Sequence, residues 1–284
     1  MIKSYKARRA LGNAVVYIIL TILSIIWILP LAWIVMTSFS GEEAAFIDHI
    51  IPTSWTFDNY IELFTDTQSF DYPRAFINTL IIAVFSCIIS TLSVLMVSYT
   101  FSRLRFKTRK AFMNVTMILG MFPGFMTMIA IYYILKVIGL SQNIIGLIIV
   151  YSAGAALGYF ISKGFFDTVP RALDEAATID GATKNQIFWK IILPMSKPIV
   201  VYTVLTSFIN PWTDFIMARM ILRDATDQYT VALVLWNMTD KEKIDKYFYN
   251  FCAGSVLVAV PITALFLKMQ KFYVEGITGG AVKG

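Results

Sequence analysis

The chain has 284 residues, 57% of them hydrophobic and only 15% charged, with a mean hydropathy of +0.68. Soluble domains carry about a quarter charged residues, and a water-soluble fold of this length could not hide so much apolar surface, so the composition describes an integral membrane protein. The net charge of +6 and the pI near 9.2 do not call for nucleic acid, because basic residues collect in the loops on one side of a membrane protein. Cys87 and Cys252 both lie inside apolar runs. They read as small core residues, with no disulfide framework or metal spacing.

From the N-terminus, Lys3, Lys6, Arg8 and Arg9 precede a run of 23 residues, Ala14 to Met36, without a charge. A secretory leader has an apolar core of about 7–15 residues, so this run reads as a retained first span. Thr37 to Arg74 is a polar loop rich in acids, among them Glu42, Glu43, Asp48 and Asp58. Phe76 to Tyr99 is the second span. Its Asn78, Ser86, Ser90, Ser93 and Ser98 are small polar side chains that suit close helix contact in lipid. Arg103, Arg105, Lys107, Arg109 and Lys110 follow with no acid among them. The third span, Ala111 to Leu135, contains Gly120, Pro123 and Gly124, which predict a kink. The fourth runs from Ile144 to Ser162, and the spacing of Gly154 and Gly158 predicts a close helix approach. Ile199 to Ala218 is the fifth. A charged loop, Arg219 to Lys246, leads to the sixth, Tyr247 to Leu267, and then to a tail from Lys268 to Gly284.

The charges sort by side. Of the 24 Lys and Arg residues, 17 fall in the N-terminus, the loop after span two, the segment from Lys163 to Lys197 and the tail, while 13 of the 18 acids fall elsewhere. This positive-inside bias predicts that both termini face the cytoplasm. An even number of spans agrees with it.

Between spans four and five lies Pro170 to Pro198, PRALDEAATIDGATKNQIFWKIILPMSKP. Pro170 suits a first helical turn, and Asp174 and Glu175 suit the positive end of a helix. Leu173, Ala176 and Ala177 form a small apolar face, and Gly181 offers a left-handed stop. Thr183 and Gln186 read as a capping box opening a second helix. Ile187, Phe188, Ile191 and Ile192 share one side of that helix, and Pro194 and Pro198 are expected to end it. Two short helices at a sharp turn are predicted.

No engine is present in the sequence. There is no GxxxxGK[ST] phosphate cradle, and the glycine-rich ending GGAVKG lacks the Ser/Thr and helix that would make it one. The single histidine, His49, has no second His or Cys beside it and reads as a solvated loop residue. No catalytic residues, cofactor-binding residues or metal ligands are proposed, and the chain is expected not to be an enzyme by itself.

The run Glu175-Ala176-Ala177-Thr178-Ile179-Asp180-Gly181-Ala182, followed by Phe188, Ile191, Leu193-Pro194 and Pro198, resembles the EAA loop of ABC importer permeases. The resemblance extends to Phe76-Ile77-Asn78-Thr79, to Tyr99-x-Phe101-Ser102-Arg103 with Arg109-Lys110, to Met121-Phe122-Pro123, to Gly139-Leu140 and to the ending from Gln270 to Gly284. These are similar to the MalG-type subunit of carbohydrate importers. It covers almost the whole chain, most specifically from Phe76 onward. Leu222-Arg223-Asp224 followed by Tyr229-Thr230-Val231-Ala232 points the same way, toward a maltose or maltodextrin type, with other oligosaccharides open.

That resemblance implies an all-α fold of six transmembrane helices, a type I ABC importer permease with a cytoplasmic coupling-helix loop. It implies three parts: 1–75 with the first span and an external loop, a permease core over 76–270, and a cytoplasmic tail over 271–284. Glu175, Ala176, Ala177, Asp180, Gly181, Ala182, Phe188 and Pro194 would form the surface that couples to an ATPase. The two carboxylates would either meet the partner or merely cap the turn. In the tail, Gly276, Thr278, Gly280 and Lys283 would reach toward the ATPase. The implied partners are a sister permease, two cytoplasmic ATPase subunits that bind ATP with Mg, and an extracytoplasmic sugar-binding protein. The implied location is a bacterial cell membrane, with lipid as the surrounding medium and no nucleic acid as partner.

In span five, Asn210, Trp212 and Asp214 are candidates to line the pathway or gate, since an acid in a span usually faces a cavity or another polar group. Plain packing within the bundle is the other reading. Two further classes remain open. An ion-gradient-driven transporter would need an intramembrane ion site, for which Asp214 alone is poor. A non-transporting scaffold would not need the coupling loop.

Overall fold

The computed structural model describes residues 5–42, 50–153 and 156–281, with side chains described over 9–42, 50–153 and 158–272. The described chain is almost wholly helical, with a lone antiparallel bridge between Ser40 and Trp55. It divides into two compact units.

The first unit comprises the chain up to Phe70 together with Asn237–Leu257. It holds α1 (Tyr5–Thr37), α2 (Asp58–Thr65) and the beginning of α14 (Ile244–Ala281). Residues 9–37 of α1 are apolar and almost entirely uncovered by the rest of the chain. Buried amides hold the connecting loop. Asn59 Nδ2 donates to the carbonyls of Ser38 and Ser40, and Asn250 Nδ2 donates to the Asn59 carbonyl and to Glu62 Oε2. Phe39, Phe57 and Tyr60 cluster beside them.

The second unit comprises Asp71–Trp236 and the chain from Val258. Its axis is α3 (Tyr72–Arg103). Asp71 starts that helix by accepting a hydrogen bond from the Arg74 amide, and Pro73 occupies the first turn, where a missing N–H costs nothing. Around α3 lie α6 (Ile144–Ser152), α7 (Ala156–Thr168) and α11 (Lys197–Thr213). The hydroxyl stripe expected on span two faces these neighbours. Ser98 Oγ donates to the Tyr159 carbonyl, Ser207 Oγ donates to Ser90 Oγ, and Cys87 Sγ donates to the Val204 carbonyl. Small side chains let these backbones approach and supply the polar contacts that hold helices together in lipid.

Among the described residues three helices, α1, α3 and α14, are long and apolar enough to cross a membrane singly. Two more crossings arise if bent pairs count as one span each. The kink expected at Gly120, Pro123 and Gly124 is a full break: α4 (Arg109–Gly120) and α5 (Gly124–Val137) meet at 104°. Pro123 cannot donate to the helix before it and instead precedes α5 in an extended conformation. The expected fourth span is divided into α6 and α7. At Gly158 an added Cβ would meet nothing within 4 Å, so the close approach predicted there is absent; Gly154 lies outside the described residues. The fifth span stops early, at Thr213, and α12 (Ile216–Leu222) follows after a break. The tail from Lys268 is helical through Ala281 as the continuation of α14.

Candidate functional site

The Pro170–Pro198 stretch folds as α8 (Ala172–Ile179), a turn, and α9 (Lys184–Ile187), which runs on through a π-helical turn (Phe188–Ile192) into α10 (Leu193–Met195). Gly181 adopts φ +82, where a side chain is disfavoured. The amides of Gly181 and Ala182 reach back to the carbonyls of Thr178 and Ala177, which closes the end of α8. The capping box forms as the residue types predict: Thr183 Oγ1 accepts from the Gln186 amide, and Gln186 Oε1 accepts from the Thr183 amide.

Pro194 does not end this second helix. The wider π turn ahead of it accommodates the lost N–H, and the helix stops two residues later, at Ser196. Pro198 then sits in the first turn of α11, which leaves the joint at 84°.

The hairpin is anchored on the end of α3. Ala177, Ile187, Phe188 and Ile192 are buried with Leu95, Tyr99, Phe166, Val169 and Ile199. The Tyr99 ring packs on Phe188 at 4.8 Å and meets Phe166 edge-on at 6.1 Å. Removing side chains such as Ile187 and Phe188 from water contributes on the order of 1.5–3 kcal/mol each. Beside this core, Arg103 Nη2 donates to the Val169 carbonyl at 2.7 Å, and Nη1 lies 3.5 Å from Asp174 Oδ2. Ser102 Oγ donates to Asp167 Oδ1 at 2.6 Å. Tyr99, Ser102 and Arg103 therefore have one shared task, which is to hold the α7–α8 corner against α3. Asp174 and Asp167, which pattern reading did not single out as site residues, are their partners.

Burial draws the Asp167 carboxyl upward. Hydrogen bonds from Lys163 and Ser102, with the charges of Lys163 and Arg109, outweigh that pull and leave it below the ordinary aspartate range.

The opposite face of the hairpin is open. Glu175, Ala176, Asp180 and Gly181 are exposed, and Ile179 projects with 86% of its surface uncovered. Pro194 is exposed, Ala182 is half-buried, and Ala177 and Phe188 belong to the core. The eight expected coupling residues thus divide into an outward set and a set that supports it. Ile179, overlooked as a site residue, is the most exposed apolar side chain of the hairpin. Its signal was present in the sequence as an Ile next to two charged or flexible positions at the tip of the turn.

At the other end of α3, Phe76, Asn78 and Thr79 pin a different loop. Asn78 Nδ2 donates to the carbonyls of Asp227 and Tyr229, and Thr79 Oγ1 accepts from the Val231 amide. Phe76 meets the Trp212 ring edge-on at 5.1 Å. Trp212 is 2% exposed, so its ring offers no platform to a ligand in this conformation. Asn210 is exposed. Asp214 starts α12, its Oδ1 accepting from the Met217 amide at 3.0 Å. The buried Tyr151 hydroxyl lies in the field of that carboxylate but has no hydrogen bond of ordinary geometry. Gly276, Thr278 and Gly280 lie on α14, while Lys283 lies outside the described residues, as do Glu43, Asp48 and His49. Among the described residues no group of His, Cys, Asp and Glu could hold a metal ion.

Residues 89–273 match the family described as "Binding-protein-dependent transport system inner membrane component". The chain belongs to this family. Its similarity to curated members runs end to end. It is 34% identical over 285 residues to the galactooligosaccharides transport system permease protein GanQ of Bacillus subtilis, covering 100% of both chains. It is 35% identical over 287 residues to the maltodextrin transport system permease protein MalD of Streptococcus pneumoniae, again covering 100% of both. In three dimensions it is similar to a chain of a bacterial ABC transporter involved in the import of the acidic polysaccharide alginate. There the TM-score is 0.76 with 21% identity, covering 96% of this chain and 99% of that one. At that identity the likeness is one of fold. As an inner membrane component, the chain supplies a membrane-spanning part of its transport system and is a permease subunit rather than the ATPase. The matched segment contains the whole α8–α9 hairpin and the Tyr99–Arg103 anchor.

Proposed function

We propose that the chain is one of two membrane subunits of an ATP-driven importer for a maltodextrin-type oligosaccharide, and that the α8–α9 hairpin is where it takes up the work of the ATPases. The carrying observation is a hairpin with two faces. One is fixed to α3 by a buried core and the Arg103–Asp174 pair, and the other leaves Ile179 open. An apolar side chain left so open on a well-anchored polar turn suits insertion into a cleft. Glu175 and Asp180 lie on the open face and are proposed to meet that partner.

In this reading the chain has six spans: the first at about 14–36, and five more in a permease core over 76–270, the fourth span lying at about 144–162. Both termini face the cytoplasm. The basic residues from Arg103 to Lys110 and the hairpin sit at one end of α3, as the positive-inside bias requires. The segment from Arg219 to Lys246 then faces outward, toward a sugar-binding protein. The tail residues Gly276, Thr278, Gly280 and Lys283 extend on the cytoplasmic side, toward the ATPases. ATP and Mg bind on those partners. Asn210 and Asp214 remain the proposed pathway positions. A galactooligosaccharide is the second substrate reading, favoured by the full-length similarity to GanQ.

The test is purification of the intact complex, identification of the co-purifying chains, and uptake of labelled maltotetraose by cells carrying the complete system. Co-purification of a second permease and an ATPase with ATP-dependent uptake is expected. Uptake that persists without ATP but collapses with the ion gradient would overturn the reading.

A further inference from the structure

An open cavity of about 530 Å³ lies where the second half of α5 meets α12 and the loop after it. Its size falls within the about 300–1,000 Å³ usual for small-molecule sites. Tyr132 and Tyr133 stand on one wall with ring centroids 5.6 Å apart at 66°. Arg219, Arg223 and Asp224 line the other. Tyr133 is 60% exposed, and Asp224 is exposed at the rim.

The loop that carries Arg223 is held in a costly conformation. Arg223 is not glycine, yet it adopts φ +49. Its carbonyl accepts from the Tyr229 hydroxyl at 2.8 Å and from Arg219 Nη1 at 3.3 Å. Its guanidinium donates to the Tyr132 hydroxyl at 2.8 Å and lies 5.6 Å from that ring's centre. Backbone strain held by surrounding bonds is a feature of ligand clamps. Here it sets a planar donor against Tyr132, in the cavity that the open Tyr133 ring also lines.

We propose that this cavity is a saccharide subsite on the permease itself, outside the residues expected to line its pathway. It would take a neutral oligosaccharide, with the apolar face of a sugar ring against Tyr133 and hydroxyls bonded to Arg223 and Asp224. Aromatic faces paired with a few fixed donors and an acceptor are the chemistry a ring of C–H and O–H groups requires. Each guanidinium already donates to a Tyr hydroxyl, Arg223 to Tyr132 and Arg219 to Tyr229, and Asp224 brings a negative charge, so the site favours a neutral ligand over an anion. The choice of a sugar rests on the importer reading.

The test uses the complete transporter in lipid nanodiscs, without binding protein, and saturation-transfer NMR with maltotetraose. Magnetisation transfer to the sugar is expected. Tyr133→Ala should weaken it about tenfold, the size of a lost ring contact, and Asp224→Asn should weaken it further. Arg223→Gly, which relieves the backbone strain, should lose the signal while the complex keeps its melting temperature. No transfer to the wild type, transfer unchanged by Tyr133→Ala and Arg223→Gly, or displacement by inorganic phosphate would each overturn the subsite. Cells that import maltotetraose while the NMR is blank would sink the subsite alone. Transfer that Tyr133→Ala and Arg223→Gly weaken, without uptake by cells, would uphold the subsite and sink the importer reading for that sugar.

Discussion

Arg103 and Asp174 face each other at 3.5 Å, with only 5% and 15% of their side chains exposed, and join the end of α3 to the first turn of α8. Removing one partner leaves the other charge largely covered without its counter-ion, which costs up to about 3–5 kcal/mol for fully buried pairs and less where, as here, a cavity of about 150 Å³ opens beside them. Arg103→Ala and Asp174→Ala should each lower the melting temperature of the purified complex. Arg103→Met combined with Asp174→Leu should recover most of the loss. Equal losses in the singles and the double would show that the pair is not coupled.

Gly181 is needed for its backbone and not for space, because an added Cβ would meet nothing within 4 Å at φ +82. Gly181→Ala should therefore cost about 1–2 kcal/mol, and Gly181→Asn less, since Asn tolerates this region. Thermal unfolding of the three proteins checks the order Gly, Asn, Ala.

Gly146 is the reverse case, since a Cβ there would run into the Leu140 carbonyl oxygen. Gly146→Ala should destabilise by about 1–3 kcal/mol through overpacking. Gly164→Ala, at a helical position with open space, should be neutral or stabilising by up to about 1 kcal/mol. The same melts compare them.

Asp167 makes a pH-dependent contribution. Its carboxyl is held below its ordinary value. Its share of stability is therefore present above the unfolded value and fades as pH falls through the folded one. The melting difference between wild type and Asp167→Asn should be steady near neutrality and shrink in acid. A difference that grows on acidification would reverse the assignment.

Ile179→Asp alters a side chain that is 86% exposed in this chain. The permease should keep its melting temperature yet retain much less ATPase on affinity purification. Full retention would remove Ile179 from the docking surface.

Local grammar was readable in the sequence because it is written over three or four residues. Gly181, the Thr183–Gln186 box and the apolar side Ile187, Phe188 and Ile192 all fold as their types require. What a single pattern cannot carry is pairing across distance, such as Arg103 with Asp174 or Asn78 with the Asp227 carbonyl. Hydropathy also overran the real ends of helices. It continued past Thr213 because apolar composition does not record where a backbone turns. Pro194 misled in the other direction. A proline ends an ideal α-helix, but a π turn can carry it.

The 84° joint at Ser196 makes the hairpin and α11 the two arms of a bell crank. The long arm, with 17 residues, measures about 25 Å, and the short arm from Lys184 to Met195 about 18 Å. Under the coupling role proposed above, a pull on the short arm would become a tilt of the long arm. The far end of that long arm carries Asn210 and Trp212. Work done at the hairpin would then be delivered around this corner to the opposite end of the helix.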